Sequence, residues 1–380
     1  MNYYIIAGEA SGDLHASNLI RALKKIDPAS CFRGFGGELM EAEGLVLKKH
    51  YREMAFMGFI PVLMNWKTIR NNFRICEEDL LENCPDVLIL IDYPGFNLRM
   101  ARFAHEQGIR VYYYIPPKIW AWKTFRIKKI KAWVDELLTI LPFETEFYGK
   151  YGVAVHYVGN PVLDAVSRRP GAEDLSDFKL HYQLTDRPVI ALLPGSRMQE
   201  ISSLLPVMLS GVKAFTDHQI VITTAPNIPD RVYRNILGSR GEVKLISGRT
   251  YDVLKCADVA VLASGTVALE AAVIGCPQVV CYRMAGGAFF YHIGHRILRI
   301  KWVSLPNLIV NKTIVPELLQ HYCSSENIAR EVQNLLPGKP GRGPMMQGYG
   351  FLRQRLGAEG ASERAASVIF SLLTETKGDS

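Results

Sequence analysis

The chain has no C-x-x-C pair, and its seven cysteines (Cys31, Cys76, Cys84, Cys256, Cys276, Cys281, Cys323) are scattered and odd in number. That pattern argues against a disulfide framework and for reduced thiols in the cytosol, mostly filling cores. The nine histidines show no ligand spacing with Cys or Asp, so no metal and no cofactor is expected. No apolar run is long enough to span a bilayer. The amino terminus enters Tyr3-Tyr4-Ile5-Ile6 without a basic segment and an apolar stretch before it, so no signal peptide is expected. A G-x-G-x-x-G fingerprint is missing, which disfavours a dinucleotide site, and without a G-x-S-x-G elbow a Ser-His-Asp hydrolase is disfavoured too. Repeats and low-complexity tracts are also lacking. The net charge of +7 suits an anionic ligand or membrane surface but is too small to argue for nucleic acid.

What is present is an ordinary folded composition, 48% hydrophobic and 21% charged, over 380 residues. That length exceeds one comfortable core and points to two domains. Short β-rich runs alternate with helical stretches almost throughout. The first half carries strand candidates at 3–6, 31–35, 87–91, 111–114, 137–140 and 155–158. The second carries them at 189–193, 220–223, 243–246, 259–262 and 279–282. Several are continuously apolar, as parallel strands buried on both faces must be. The pattern is βαβ repetition, hence an α/β protein with two Rossmann-like, doubly wound parallel-sheet domains. A polar stretch, Arg168-Arg169-Pro170-Gly171-Ala172-Glu173-Asp174, separates the two series. The expected domains are 1–168 and 187–343, with helices over 344–380 packing back on the first.

Two loops of the second half look built for phosphate. Leu193-Pro194-Gly195-Ser196-Arg197 follows one strand, and Ser264-Gly265-Thr266 opens a helix that carries Glu270 one turn on. Backbone N–H groups and the helix dipole at such junctions attract anions. Gly195 permits close approach, Ser196 adds a hydroxyl, and Arg197 offers a permanent forked donor. Ser264 or Thr266 is available as an N-cap, and Glu270, on the face of Thr266, is placed to accept from ribose hydroxyls. The first loop alone reads equally well as a plain strand-to-helix turn with a surface arginine; for the second the competing reading is a solvent-facing Glu270, disfavoured by the apolar neighbours Val267, Leu269 and Val273. Together they look like a clamp for a nucleotide diphosphate.

In the first half, Ala7-Gly8-Glu9-Ala10-Ser11-Gly12-Asp13 lets a sugar or phosphate approach a helix start through Gly8 and Ser11. At the end of a buried strand, Ile91-Asp92-Tyr93-Pro94-Gly95-Phe96-Asn97 offers Asp92 as a general base, with an Asx-turn before Pro94 as the competing reading. Two segments are apolar or aromatic-basic. Met54 to Trp66 includes Met57 and Phe59; Lys118 to Trp133 includes Trp120, Trp122, Lys123 and Arg126. Both are open to core packing with snorkelling lysines, to contact with an anionic lipid interface, or to base stacking.

Together with Pro117-x-x-Trp120-Ala121-Trp122 and Ser304-Leu305-Pro306-Asn307-Leu308, these motifs resemble the lipid A disaccharide synthase family over essentially the whole chain. That is a bacterial glycosyltransferase family of the two-domain GT-B type. The resemblance implies transfer of 2,3-diacylglucosamine from UDP-2,3-diacylglucosamine to 2,3-diacylglucosamine 1-phosphate. It implies a β-1,6 disaccharide and release of UDP, with Asp92 important for catalysis and Arg197, Glu270 and Asn307 at the UDP-sugar site. Asp92 and the phosphate loops are then expected to face one another across an interdomain cleft. The expected setting is the cytoplasmic face of the inner membrane, with an anionic surface as partner, no nucleic acid, and homodimerisation left open. Two positions depart from the family pattern. Gly95 stands where some members carry a second acidic residue, and Gly159-Asn160-Pro161 stands where others have a histidine. The rivals are a GT-B transferase for another lipid-linked acceptor, a UDP-sugar epimerase, and an RNA-binding protein.

Overall fold

The computed structural model describes residues 1–54, 66–121, 124–167, 174–238, 243–283 and 301–378. Met57, Phe59, Trp122 and Lys123 lie outside them. The chain divides into two compact units, one of Met1–Pro161 with the residues from Ala358 onward, the other Val162–Gly357.

The first unit holds β1 (Asn2–Ala7), β2 (Cys31–Gly36), β3 (Leu45–His50), β4 (Val87–Ile91), β5 (Arg110–Tyr114), β6 (Glu136–Thr139) and β7 (His156–Tyr157). They form one parallel sheet in the order β3-β2-β1-β4-β5-β6-β7. The second unit holds β8 (Val189–Leu193), β9 (Gln219–Thr224), β10 (Lys244–Ser247), β11 (Val259–Ala263), β12 (Gln278–Tyr282) and β13 (Glu317–Leu319). Its sheet, also parallel, runs β10-β9-β8-β11-β12-β13. Both are doubly wound, and the strand order reverses between β1 and β4 in one and between β8 and β11 in the other.

The central strands follow from their composition. In Val87-Leu88-Ile89-Leu90-Ile91 every residue is buried, because helices cover both faces. Alternation along β1 splits the core in two. Tyr3, Ile5 and Ala7 pack with Leu19, Ile20 and Leu23 on one face, and Tyr4 and Ile6 pack with Phe73, Cys76 and Leu80 on the other. Each buried Ile, Leu or Phe among them contributes about 1.5–3 kcal/mol of transfer free energy.

Two edge strands, β3 and β13, are additions to the sequence reading. Edges need no continuous apolar run, since one side of the strand meets solvent. In β3, Lys48 instead pairs with buried Asp79 at 3.1 Å, and that carboxylate also takes the Tyr4 hydroxyl at 2.9 Å and Arg33 at 2.7 Å.

The unit boundaries also differ from the sequence reading. The chain changes unit after Pro161, so the helix Leu175–His181 belongs to the second unit, where Phe178 is fully buried beneath Arg249. Of residues 344–380, the helix Arg342–Leu356 stays in the second unit. There Tyr349 donates to the Cys276 carbonyl at 3.0 Å and accepts from Gln278 at 3.0 Å. Only the helix Ala361–Gly378 joins the first unit, where Ala365, Ala366, Ile369 and Leu373 complete a core face. Arg364 anchors its start, donating to the carbonyls of Val158 and Ala358 at 2.9 and 2.8 Å, and its guanidinium fills the space a side chain at Gly159 would need.

Candidate active site

In open parallel sheets, ligands bind beyond the carboxyl ends of the strands where the order reverses. The four loops leaving those strands are Gly8–Ser11 after β1, Asp92–Asn97 after β4, Pro194–Arg197 after β8 and Ser264–Thr266 after β11. These are the four loops singled out in the sequence.

At the first switch point Asp92 (φ 43°) and Tyr93 (φ 45°) are consecutive left-handed residues, followed by Pro94 at the helix start. Beside them, Ile115 at the end of β5 has φ 60°. A β-branched residue there is a genuine outlier, and strain of roughly 1–3 kcal/mol per such residue persists only where surroundings over-determine it. They do. The Asp92 carbonyl accepts from the Tyr113 hydroxyl and, at 2.8 Å, from Asn97 Nδ2, which also reaches the Ile91 carbonyl at 3.1 Å. The Asp92 amide donates to the Ile115 carbonyl at 3.1 Å. Tyr93 anchors the turn further, its hydroxyl donating to the Met54 carbonyl at 2.8 Å while its ring covers Gly8 so closely that any side chain there would collide with it.

This setting tunes the carboxyl group. Burial pushes the Asp92 pKa up to about 6, and the negative Glu9 adds to the rise; Lys118 and the Tyr93 amide pull it back. A carboxylate near that value at a strand end suits a general base at neutral pH. Glu9, Asn97 and Tyr113 are the residues the sequence reading passed over. Glu9 and Asn97 sat within quoted motifs, but Tyr113 gave no signal beyond an apolar strand. Ser11 is exposed and donates to Glu9 at 2.7 Å, and the neighbouring Asp13 is buried, receiving the amides of Gly37, Leu39 and Met40.

The acceptor-side aromatics divide. Trp120 is half-buried and donates its indole N–H to Glu144 at 3.1 Å, with its ring edge-on to Phe143. The polar atom of Trp120 is therefore committed within the protein, and what it can still offer a lipid or acceptor is its ring. Burial pushes the Glu144 pKa up to about 7. Arg126 is half-exposed; burial raises the Tyr113 hydroxyl well above the usual tyrosine range, and the Arg126 charge offsets only a small part of that rise. Phe125, by contrast, is 64% exposed, and Lys118, Lys128 and Lys129 are exposed in the same segment.

The second switch point corrects three expectations. First, the amides of Ser196 and Arg197 do not wait for an anion. Both donate to Glu200 Oε2, at 3.1 and 3.3 Å, in a capping box that closes the start of the helix Met198–Val212. Gly195, at φ 110°, lies where a side chain would strike that same carboxylate. What the loop still offers is the exposed side chain of Ser196 and the Arg197 guanidinium, the latter 64% exposed and 3.8 Å from Glu200. Secondly, neither Ser264 nor Thr266 caps the helix Thr266–Ile274; its N-cap is Gly265, with no side-chain cap, and Ser264 Oγ donates to the Val303 carbonyl at 3.3 Å. Thirdly, Asn307 is fully buried and saturated. Its Nδ2 donates to the Val315 carbonyl at 2.9 Å and to Glu317 at 2.8 Å, while its Oδ1 accepts the amides of Ile314 and Val315 at 2.7 and 2.9 Å. A side-chain amide can do no more, so the Asn307 side chain is committed within the protein. Glu270 is half-buried; burial pushes its pKa up to about 7, and a hydrogen bond from Tyr251 holds it from rising further. Among the described residues, no group of three or more His, Cys, Asp or Glu is arranged to hold a metal ion.

Comparison with known proteins bears on this geometry. A family model described as lipid-A-disaccharide synthetase matches residues 3–343. A lipid-A-disaccharide synthase of Myxococcus xanthus is 41% identical over 376 residues, covering 97% of each chain. One of Geobacter metallireducens is 37% identical over 375 residues, covering 97% of this chain and 96% of the relative. Among solved structures, UDP-GlcNAc 2-epimerase from Neisseria meningitidis bound to UDP-GlcNAc aligns with TM-score 0.69 at 14% identity, over 99% of this chain and 100% of the other. The Methanocaldococcus jannaschii enzyme with UDP-GlcNAc and UDP aligns with TM-score 0.67 at 15% identity, over 98% and 100%. At such identities the likeness is one of fold.

Proposed function

The chain belongs to the lipid-A-disaccharide synthetase family, and from that premise we propose that Asp92 is its general base and that Arg197, Glu270 and the uncapped helix start at Gly265–Thr266 hold the UDP-sugar. The enzyme is a glycosyltransferase that joins diacylglucosamine from its UDP donor to diacylglucosamine 1-phosphate, giving the β-1,6 lipid A disaccharide and UDP. The epimerase reading is not favoured, because the synthases are relatives in sequence whereas the epimerases share only the fold.

In the proposed step the acceptor's 6-hydroxyl gives its proton to the Asp92 carboxylate as its oxygen bonds to the anomeric carbon of the donor. The bond from that carbon to the β-phosphate breaks on the opposite face, and its electron pair leaves with UDP. Arg197 and the amides at the helix start stabilise the charge gathering on the diphosphate. Glu270 accepts from the ribose hydroxyls. The observation that carries this reading is the coincidence of all four motif loops with the two points of strand-order reversal.

The exposed Phe125 among Lys118, Lys128 and Lys129 supports a further part of the proposal, peripheral attachment to an anionic inner-membrane surface, where the acyl substrates reside. No described helix is long and apolar enough to cross a membrane. The deciding experiment incubates the protein with labelled UDP-diacylglucosamine and acceptor and reads the product by mass. A disaccharide phosphate is expected from the wild type and only traces from Asp92→Asn; equal product from both removes Asp92 from the base role. Co-sedimentation with anionic but not zwitterionic vesicles is expected, and equal binding to both would remove the electrostatic part.

A further inference from the structure

The segment Ser304-Leu305-Pro306-Asn307-Leu308 has a role that its chemistry alone does not disclose, and the structure locates it in one carboxylate. Glu317, at the start of β13, accepts the amides of Val303 and Ser304 at 3.0 Å each, the Ser304 hydroxyl at 2.6 Å and Asn307 Nδ2 at 2.8 Å. Ser304 begins the helix Leu305–Val310 yet gives that helix no side-chain cap; its hydroxyl is instead turned toward Glu317, to which it donates. The same lattice fixes the backbone at Val303, whose carbonyl takes the hydroxyl of Ser264. Ser264 directly precedes the uncapped start of the helix Thr266–Ile274. A serine so placed readily turns its oxygen onto the first free amides of a helix and satisfies them itself. Here its hydroxyl proton is held by Val303 instead.

We propose that Glu317 is a positioning residue for the donor site: by pinning Val303–Ser304 it draws the Ser264 hydroxyl away from the helix start, so that the amides there remain free for a diphosphate. This rests on the reading that the donor's phosphates bind at that helix start. Glu317 touches no substrate. It acts through the Val303 carbonyl and Ser264.

The test uses full-length protein and UDP as probe. Glu317→Gln puts an N–H₂ among four donors and is expected to weaken UDP binding, measured calorimetrically, by about tenfold. Removing the competing hydroxyl as well, in Glu317→Gln with Ser264→Ala, is expected to restore most of that affinity; a merely structural role for Glu317 predicts no rescue. Ser304→Ala, which deletes one of the four donors and spares the carboxylate, is expected to cost about threefold and serves should Glu317→Gln fail to fold. Amide NMR separates the two ideas. If UDP leaves the Thr266 and Val267 amides unmoved in the wild type, the donor-site reading falls and this inference with it. If UDP moves them, but Glu317→Gln and Ser304→Ala bind it as the wild type does, or the double variant shows no rescue, the inference alone is overturned.

Discussion

At the first switch point a side chain on Gly8 would collide with the Tyr93 ring, whereas at the second a methyl group on Gly265 would meet nothing within 4 Å. The contrast extends to the neighbours. Around Asp92 the backbone is held left-handed by Tyr113, Asn97 and Ile115, while Gly265 and Thr266 are exposed. The chemistry proposed for each place accounts for the difference. A base must be kept still and partly dry, because its proton affinity is set by burial. A phosphate cradle must instead leave its donors accessible until the ligand arrives. Within the second unit the same lesson repeats: Glu200 closes one helix start with its own carboxylate, and the other is kept unclosed.

The largest expected effect tests whether the crowded region is the chemical one. Asp92→Asn should lower kcat by about a hundred- to ten-thousand-fold while UDP affinity stays unchanged; a parallel fall in affinity would erase the division of labour. Arg197→Ala should weaken UDP binding by about 1.5–3 kcal/mol, the worth of a charge-assisted contact, with the fold intact, as calorimetry and thermal melts would reveal. The glycines give the sharpest contrast. Gly8→Ala should cost about 1–3 kcal/mol of stability through overpacking against Tyr93, measured by denaturant unfolding, and disturb turnover with it. Gly265→Ala should stay within about 0.5 kcal/mol of wild type in stability yet bind UDP less well, since its methyl group enters ligand space. Similar melts for both variants would dissolve the comparison.

The smallest effects concern pH. Asp92 must be ionised to take a proton, so kcat/KM should rise as pH climbs through about 6 and then level. Glu270 must be ionised to accept from ribose, so UDP affinity should improve as pH climbs through about 7. In Glu270→Gln the second dependence should vanish at a cost of about 0.5–1.5 kcal/mol, while the first persists.

Much of this was legible in the linear chain because parallel strands buried on both faces must be apolar throughout. Val87–Ile91, Val189–Leu193 and all but the last residue of Val259–Ala263 could therefore be read directly. The loops after them announced themselves through Gly, Pro, Ser and Asp, residue types that such turns need. The edge strands escaped notice, since Leu45–His50 is polar in its second half and Glu317–Leu319 is only three residues long.

Residue types and their local periods thus determined two doubly wound sheets and the loops at which their strand order reverses. Whether a given polar atom is free or spent was decided by the tertiary structure. Asn307 is exhausted by Ile314, Val315 and Glu317, the Ser196 and Arg197 amides by Glu200, and the Trp120 indole by Glu144. Hydrogen-bonding capacity is finite and acts over about 3 Å. Which groups come that close depends on how separate elements pack, and a sequence pattern read locally carries no record of it.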